Sequence, residues 1–146
     1  MDDRDLVLTG GCLCGAVRYR AHGAPLFAGH CYCADCRKAS GSAFVPFMGF
    51  LATAVEFFGE TQQFRSPSFR GGDAVRNTCP TCGSLVYGGE VGKDDSHTIY
   101  AGTLDDPTLF QPSVAIFAKD CPSWSPIPAT LTAFPTMPDQ ETPSEG

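Results

Sequence analysis

The spacing of the cysteines constrains this chain more than any other feature of its sequence. There are eight, at Cys12, Cys14, Cys31, Cys33, Cys36, Cys79, Cys82 and Cys121. Two cysteines separated by one residue point to opposite faces of an extended chain and would bridge each other only with strain. A metal ion, by contrast, gathers several thiolates at about 2.3 Å. The spacing therefore favours zinc binding over disulfides or unrelated buried thiols.

Length and charge narrow the class of protein. The 146 residues, at 15.5 kDa, match the usual size of one domain. The net charge of −6, from 10 basic and 16 acidic residues, argues against nucleic-acid binding, which needs a basic patch. The most apolar stretch, residues 43–55, is too short to span a membrane and contains Pro46 and Gly49. The acidic N-terminus lacks a signal sequence, so we expect a cytoplasmic protein with reduced thiols.

The hydrophobic pattern predicts a mainly β fold of small antiparallel sheets held together by zinc. Short alternating segments lie between frequent glycines and prolines, which is typical of strands. The predicted strands cover residues 6–9, 17–21, 26–32, 43–51, 55–58, 74–78, 84–87, 98–101 and 114–118. One short helix is expected at residues 34–40. We predict a single zinc-binding domain over residues 1–134 and a flexible C-terminal tail over 135–146.

Counting ligands suggests one closed zinc site. Cys79 and Cys82 form a knuckle in which both thiolates can face one ion, and Gly83 permits the tight turn that follows. Cys12 and Cys14 can complete a four-cysteine site, although they could instead join the remaining triplet. A metal that joins such distant segments would contribute its binding free energy to folding.

The triplet Cys31, Cys33 and Cys36 leaves a fourth zinc position open unless His30 or Cys121 fills it. With three thiolates the ion carries a net charge of −1, so it is a weak Lewis acid that suits thiol chemistry better than hydrolysis. The alternative is a second structural zinc. For His30 the competing interpretation is hydrogen bonding or packing, and for Cys121 it is a lone thiol.

Residues outside the clusters give weaker signals. Arg37 and Lys38 follow the triplet and could hold a substrate carboxylate, or they could simply be solvated. Trp124 could line a pocket, but a lone tryptophan in a small domain is expected in the core. His22 and His97 have no partner pattern and are predicted to lie on the surface.

Four motifs carry a resemblance to a known family. They are GGCLCGAVRY at residues 10–19, HCYCADCRKASGSAF at 30–44, CPTCGS at 79–84 and AGTLDD at 101–106. In this order and spacing they resemble the glutathione-dependent formaldehyde-activating enzyme family, which also includes centromere protein V-like proteins. The resemblance extends from about residue 8 to residue 128.

The resemblance implies a β-tent fold with two zinc ions. The structural zinc would be bound by Cys12, Cys14, Cys79 and Cys82, and the catalytic zinc by Cys31, Cys33 and Cys36. It also implies carbon-sulfur lyase activity, in which glutathione and formaldehyde combine to S-hydroxymethylglutathione. Two other interpretations remain: a non-catalytic zinc-stabilised module that binds thiols or proteins, and a redox sensor that releases zinc on oxidation.

Overall fold

The computed structural model describes residues 5–69 and 71–138. Within these residues the chain is mainly β, with one α-helix, α1 (Ala34–Ser40), and short 3-10 helices. The strands are β1 (Val7–Gly11), β2 (Arg18–His22), β3 (Phe27–Cys31), β4 (Val45–Leu51), β5 (Val55–Phe58), β6 (Gln62–Pro67), β7 (Asp73–Thr78), β8 (Leu85–Gly88), β9 (Ser96–Tyr100), β10 (Val114–Ile116) and β11 (Thr132–Ala133).

The chain forms two compact units. The first contains the residues up to Leu26 and Met48–Phe110, and the second contains Phe27–Phe47 and the residues from Gln111 onward. The prediction of a single domain over residues 1–134 stays a prediction.

In the first unit, β1, β2 and β5 form an antiparallel sheet with β2 in the centre. The alternation predicted for β2 is confirmed, because Tyr19 and Ala21 are buried while Arg20 is exposed. Gly10 on β1 lies against Tyr19, and a Cβ atom at position 10 would come within 2.2 Å of the Tyr19 Oη. It would also come within 2.4 Å of the Thr103 carbonyl oxygen, so glycine at this position lets the chain after β9 approach β1.

Asp105, in the fourth sequence motif, is hydrogen-bonded to side chains of this sheet. Its carboxylate accepts hydrogen bonds from the Thr9 hydroxyl, at 2.8 Å, and from Arg18 Nη1, at 3.0 Å. The Arg18 guanidinium, with help from the Thr9 hydroxyl, lowers the pKa of Asp105 to about 2. The loop that follows β9 is thereby attached to β1 and β2, the strands that flank Cys12 and Cys14.

Strands β9, β8, β7 and β6 of the first unit are neighbours in that order within the larger sheet, and the pairs they form with one another are antiparallel. The register of β7 against β8 shifts between Asn77, which lies opposite Tyr87, and Thr78, which lies opposite Leu85. The Asn77 side chain, which is fully buried, donates to the carbonyl oxygens of Tyr87 at 3.1 Å and Gly89 at 2.8 Å. Its own oxygen accepts from the Thr61 hydroxyl at 2.8 Å.

His97 shows that the surface prediction for this residue is wrong. It is only 4% exposed, and its ring lies edge-on to Phe57 with centroids 4.9 Å apart. Its Nδ1 lies 3.1 Å from the Gly88 carbonyl oxygen. His22, in contrast, is exposed as predicted.

In the second unit, β10 pairs in parallel with both β3 and β11. The predicted mainly β class of small sheets is confirmed, and β10 adds parallel pairs to the antiparallel ones. Parallel pairing is possible here because β3 and β10 are far apart in sequence and need no tight turn between them. The Cα register places Val114 opposite Gly29 and Ile116 opposite Cys31.

The predicted strands and the predicted helix correspond closely to those observed. Two strands were not predicted, β6 and β11, because β6 is exposed along nearly its whole length without alternation and β11 has two residues. Of the predicted tail, residues 139–146 lie outside the described part, whereas Pro135 and Thr136 accept main-chain hydrogen bonds from Lys119 and Phe117. No helix in the described part has the length and apolarity to cross a membrane.

We expect Asn77→Ala to lower the free energy of unfolding by about 2 to 3 kcal/mol, because it leaves several buried polar groups without partners. Thr61→Ala is the matched control, since it removes one hydrogen bond to the same side chain and should cost about 1 kcal/mol. Urea denaturation followed by circular dichroism measures both. Equal losses in the two variants would contradict a central role for Asn77.

Candidate metal centre

Four cysteines of the first unit converge on one point. The Sγ atoms of Cys12, Cys14, Cys79 and Cys82 all lie within 4.8 Å of one another. The Cys12–Cys14 and Cys14–Cys79 sulfur distances are both 3.7 Å. A tetrahedron of sulfurs about 2.3 Å from a central zinc has edges of about 3.8 Å. The arrangement therefore fits a four-thiolate metal site.

The turn after β7 brings Cys79 and Cys82 to the same side. The Cys79 N–H donates to the Ser84 carbonyl at 3.0 Å, and the Gly83 N–H donates to the Cys79 carbonyl at 2.8 Å. Gly83 has φ +78°, a left-handed conformation that favours glycine. The predicted reason for glycine in the knuckle is thus confirmed.

Donors lie beside the sulfurs of Cys12, Cys79 and Cys82 and favour the thiolate form. The Val17 N–H lies 3.2 Å from Cys12 Sγ, and the Cys82 N–H lies 3.4 Å from Cys79 Sγ. The Ser84 hydroxyl, 3.2 Å from Cys82 Sγ, is the main cause that lowers the pKa of this thiol to about 5. Hydrogen bonds of this kind orient metal ligands and stabilise their charge.

The other three cysteines meet in the second unit, where β3 passes into α1. Cys31 ends β3, Cys33 caps the N-terminus of α1, and Cys36 lies on the helix. The Cys36 N–H donates to Cys33 Sγ at 3.2 Å, and the sulfurs of Cys31 and Cys36 are 3.4 Å apart. The three sulfurs lie within 4.8 Å of one another, so they could also hold a metal ion.

The electrostatics of this triplet favour a bound cation. Hydrogen bonds from the neighbouring thiols of Cys31 and Cys36 lower the pKa of Cys33 to about 2, whereas hydrogen bonding to Cys33 and burial raise that of Cys31. A thiolate at Cys33 thus opposes ionisation of Cys31, because clustered thiolates repel one another. A soft divalent cation relieves this repulsion and suits a donor set of thiolates.

The two candidate fourth ligands lie elsewhere. His30 stacks on Phe44 with ring centroids 3.9 Å apart, its Nδ1 is 3.4 Å from the Tyr32 hydroxyl, and burial lowers its pKa. The Cys121 thiol donates to the Ser125 carbonyl at 3.0 Å. Within residues 5–69 and 71–138, the His, Cys, Asp and Glu ligand atoms that gather at this site come from the triplet alone.

All eight cysteines lie within the described residues, and each is a free thiol. The preference for metal binding over disulfides is consistent with this.

Arg37 is half-buried on α1 and Lys38 is exposed. Trp124 is 71% exposed, so its expected place in the core is wrong.

Sequence reasoning missed the apolar surroundings of the triplet. Cys31 is buried with Phe47 and Ile116, and several partly buried side chains pack against this cluster: Cys33, Cys36, Val114, Phe117 and Met137. Parallel pairing of β10 with β3 brings Val114 and Ile116 to this cluster, and Phe117 follows them directly in the chain. No local spacing in the sequence signals this proximity.

These features define a mainly β protein with one four-thiol and one three-thiol cluster. The sequence profile of the family described as "Glutathione-dependent formaldehyde-activating enzyme" matches residues 7–120, more than half of the chain. The chain therefore belongs to this enzyme family. Membership supports a function related to glutathione and to formaldehyde activation in general.

The structural comparison supports the fold. The protein is similar to a crystal structure of a Rhodobacter sphaeroides protein, with a TM-score of 0.52 and 18% sequence identity. The match covers 66% of this chain and 87% of the other. A search of curated proteins found no significant match.

The two clusters predict different consequences of cysteine loss. We expect Cys79→Ser to lose one metal ion per chain and to unfold at lower urea concentration, because the cluster joins distant segments and metal binding contributes to folding. Cys31→Ser should also lose one ion but stay folded. Metal analysis by mass spectrometry and urea denaturation measure the two effects.

Cys121→Ser is the matched control, since its thiol lies outside both clusters. It should keep its full metal content and near-normal stability. If Cys31→Ser unfolds while Cys79→Ser does not, the structural and the second site are assigned in reverse.

Proposed function

We propose that this protein is a zinc-dependent carbon-sulfur lyase that combines a thiol with an aldehyde, as glutathione and formaldehyde combine to S-hydroxymethylglutathione. In this proposal Cys12, Cys14, Cys79 and Cys82 hold a structural zinc, and Cys31, Cys33 and Cys36 hold a catalytic zinc. The observation that carries the proposal is the contrast between four converging thiols in one unit and three in the other.

The number of ligands separates the two roles. A structural zinc in proteins is closed by four protein ligands, whereas a catalytic zinc keeps one position for substrate. The described residues bring three thiols to the second cluster, while His30 and Cys121 have other partners. Zinc bound by three thiolates supplies a site where a further thiol loses its proton and becomes a nucleophile.

The chemistry then requires a simple exchange of bonds. The thiolate sulfur attacks the aldehyde carbon, a C–S bond forms, and the carbonyl π pair becomes an alkoxide that accepts a proton to give the hemithioacetal. Apolar side chains around Cys31, including Phe47 and Ile116, create the low-polarity surroundings in which such electrostatic effects are strong.

Of the two basic residues that follow the triplet, we propose that Arg37 orients an anionic thiol. It follows Cys36 directly on α1 and is half-buried, whereas its neighbour Lys38 is exposed. A guanidinium binds a carboxylate with two parallel hydrogen bonds, and partial burial strengthens them. We assign to Arg37 the binding of a carboxylate of a glutathione-like substrate.

Catalysis is tested by following hemithioacetal formation from glutathione and formaldehyde by NMR exchange spectroscopy. The protein should accelerate the reaction, and Cys33→Ser should reduce the protein-dependent rate at least about tenfold. Cys121→Ser should retain it. No acceleration over the spontaneous reaction, in a protein loaded with two zinc ions, would favour a non-catalytic zinc-stabilised module.

The role of Arg37 is tested with two thiols. Arg37→Ala should raise the KM for glutathione about tenfold and leave the KM for 2-mercaptoethanol, which has no carboxylate, unchanged. Lys38→Ala, the matched control, should leave both nearly unchanged. Equal effects of Arg37→Ala on both thiols would show that Arg37 does not act through a carboxylate.

A further inference from the structure

Phe117 has an unusual backbone conformation beside the three-thiol cluster. Its φ of 55° and ψ of 40° are left-handed, and among the described residues it is the one non-glycine with a positive φ. A large aromatic side chain rarely adopts this conformation, because its Cβ crowds the following carbonyl. Strained residues of this kind persist where the surrounding structure fixes them, and they are concentrated at functional sites.

The left-handed turn changes the face on which Phe117 lies. Side chains of a strand alternate, and on β10 Val114 and Ile116 belong to the cluster of Cys31 while Ala115 belongs to the cluster of Tyr32. An extended residue 117 would share the face of Ala115. Phe117 instead packs with Val114 and Ile116 against the cluster of Cys31.

Hydrogen bonds on both sides fix this turn. The Phe117 N–H donates to the Thr136 carbonyl at 3.0 Å, and its own carbonyl accepts from the Asp120 N–H at 3.0 Å. Just before it, the Ile116 carbonyl accepts from the Tyr32 N–H at 3.0 Å. The conformation is thus imposed by main-chain contacts on either side.

We propose that the ring of Phe117, turned onto the cysteine face, covers one side of the three thiols and limits the access of water and small reagents from that side. This proposal rests on the proposed function, in which these three thiols bind the catalytic zinc. An apolar side chain around a metal site controls the access of solvent to its ligands. Phe117 would therefore slow the loss of zinc and the side reactions of its ligands.

The test measures the access of reagents to each cysteine of the zinc-loaded protein. Iodoacetamide alkylation is followed by peptide mass spectrometry, and zinc release is followed with a chromophoric chelator. Phe117→Ala should raise the alkylation rate of Cys33 and Cys36 about tenfold and speed zinc release from the triplet. Phe117→Leu, which keeps an apolar side chain, should remain near the wild-type rate.

Two controls separate shielding from general loosening. Cys14 and Cys82, in the other cluster, report on the same sample and should react at unchanged rates. Ile127→Ala truncates an apolar side chain that packs on the Tyr32 cluster of the same unit, and it should not accelerate alkylation of the triplet. Phe117→Gly accepts the left-handed backbone without strain, so it removes the ring even if the alanine variant fails to fold.

Unchanged rates at Cys33 and Cys36 in both the alanine and the glycine variants would overturn the proposal. Equal acceleration in both clusters, or in Ile127→Ala, would also overturn it, since the effect would then be general. If Phe117 protects the triplet but the wild-type protein does not accelerate the aldehyde reaction, the proposed lyase activity is refuted. The proposed shielding then still holds.

Discussion

The mutual repulsion of clustered thiolates is the constraint on which this structure depends. Seven sulfurs lie in two groups, each with its ligand atoms within 4.8 Å. Main-chain N–H groups and the Ser84 hydroxyl stabilise charge on some of these sulfurs, but hydrogen bonds alone do not compensate several neighbouring charges. A bound cation would do so, and because Cys12 and Cys79 lie on distant segments, it would also join the end of β1 to the turn after β7. The local structure at both clusters therefore fits the geometry of metal ligands.

The four family motifs contribute to two different sites. The first and third motifs supply the four-thiol cluster, and the fourth supplies Asp105, which binds Thr9 and Arg18 on strands next to that cluster. These three motifs thus build one end of the first unit. The second motif alone supplies the triplet, with β3 and α1 holding its cysteines. Matching the motifs therefore identifies the family firmly, whereas the proposed carboxylate binding by Arg37 and the proposed shielding by Phe117 depend on individual residues around the triplet.

Local patterns in the sequence predicted what local forces determine. The alternation in β2, the helix after Cys33 and the turn at Gly83 follow from short-range geometry. Cysteine spacing predicted the four-thiol and three-thiol groups in which the sulfurs lie, with one alternative pairing left open. Long-range pairing determined the rest. Parallel pairing of β10 with β3, the burial of His97 and the exposure of Trp124 depend on segments far apart in sequence, and β6 shows no alternation because nearly all of it is exposed. Such features leave no periodic signal.

Phe117 illustrates the limit of local reasoning most clearly. Strand alternation at residues 114–116 would place it on the face of Ala115, and its residue type disfavours a left-handed turn. The hydrogen bond to Thr136 comes from a segment almost twenty residues later, within the stretch that composition alone marks as a loose tail. The first part of that stretch thus fixes the conformation of a residue beside the thiols, together with Met137 in the same cluster. A segment that lacks the family motifs therefore takes part in forming the site that those motifs define.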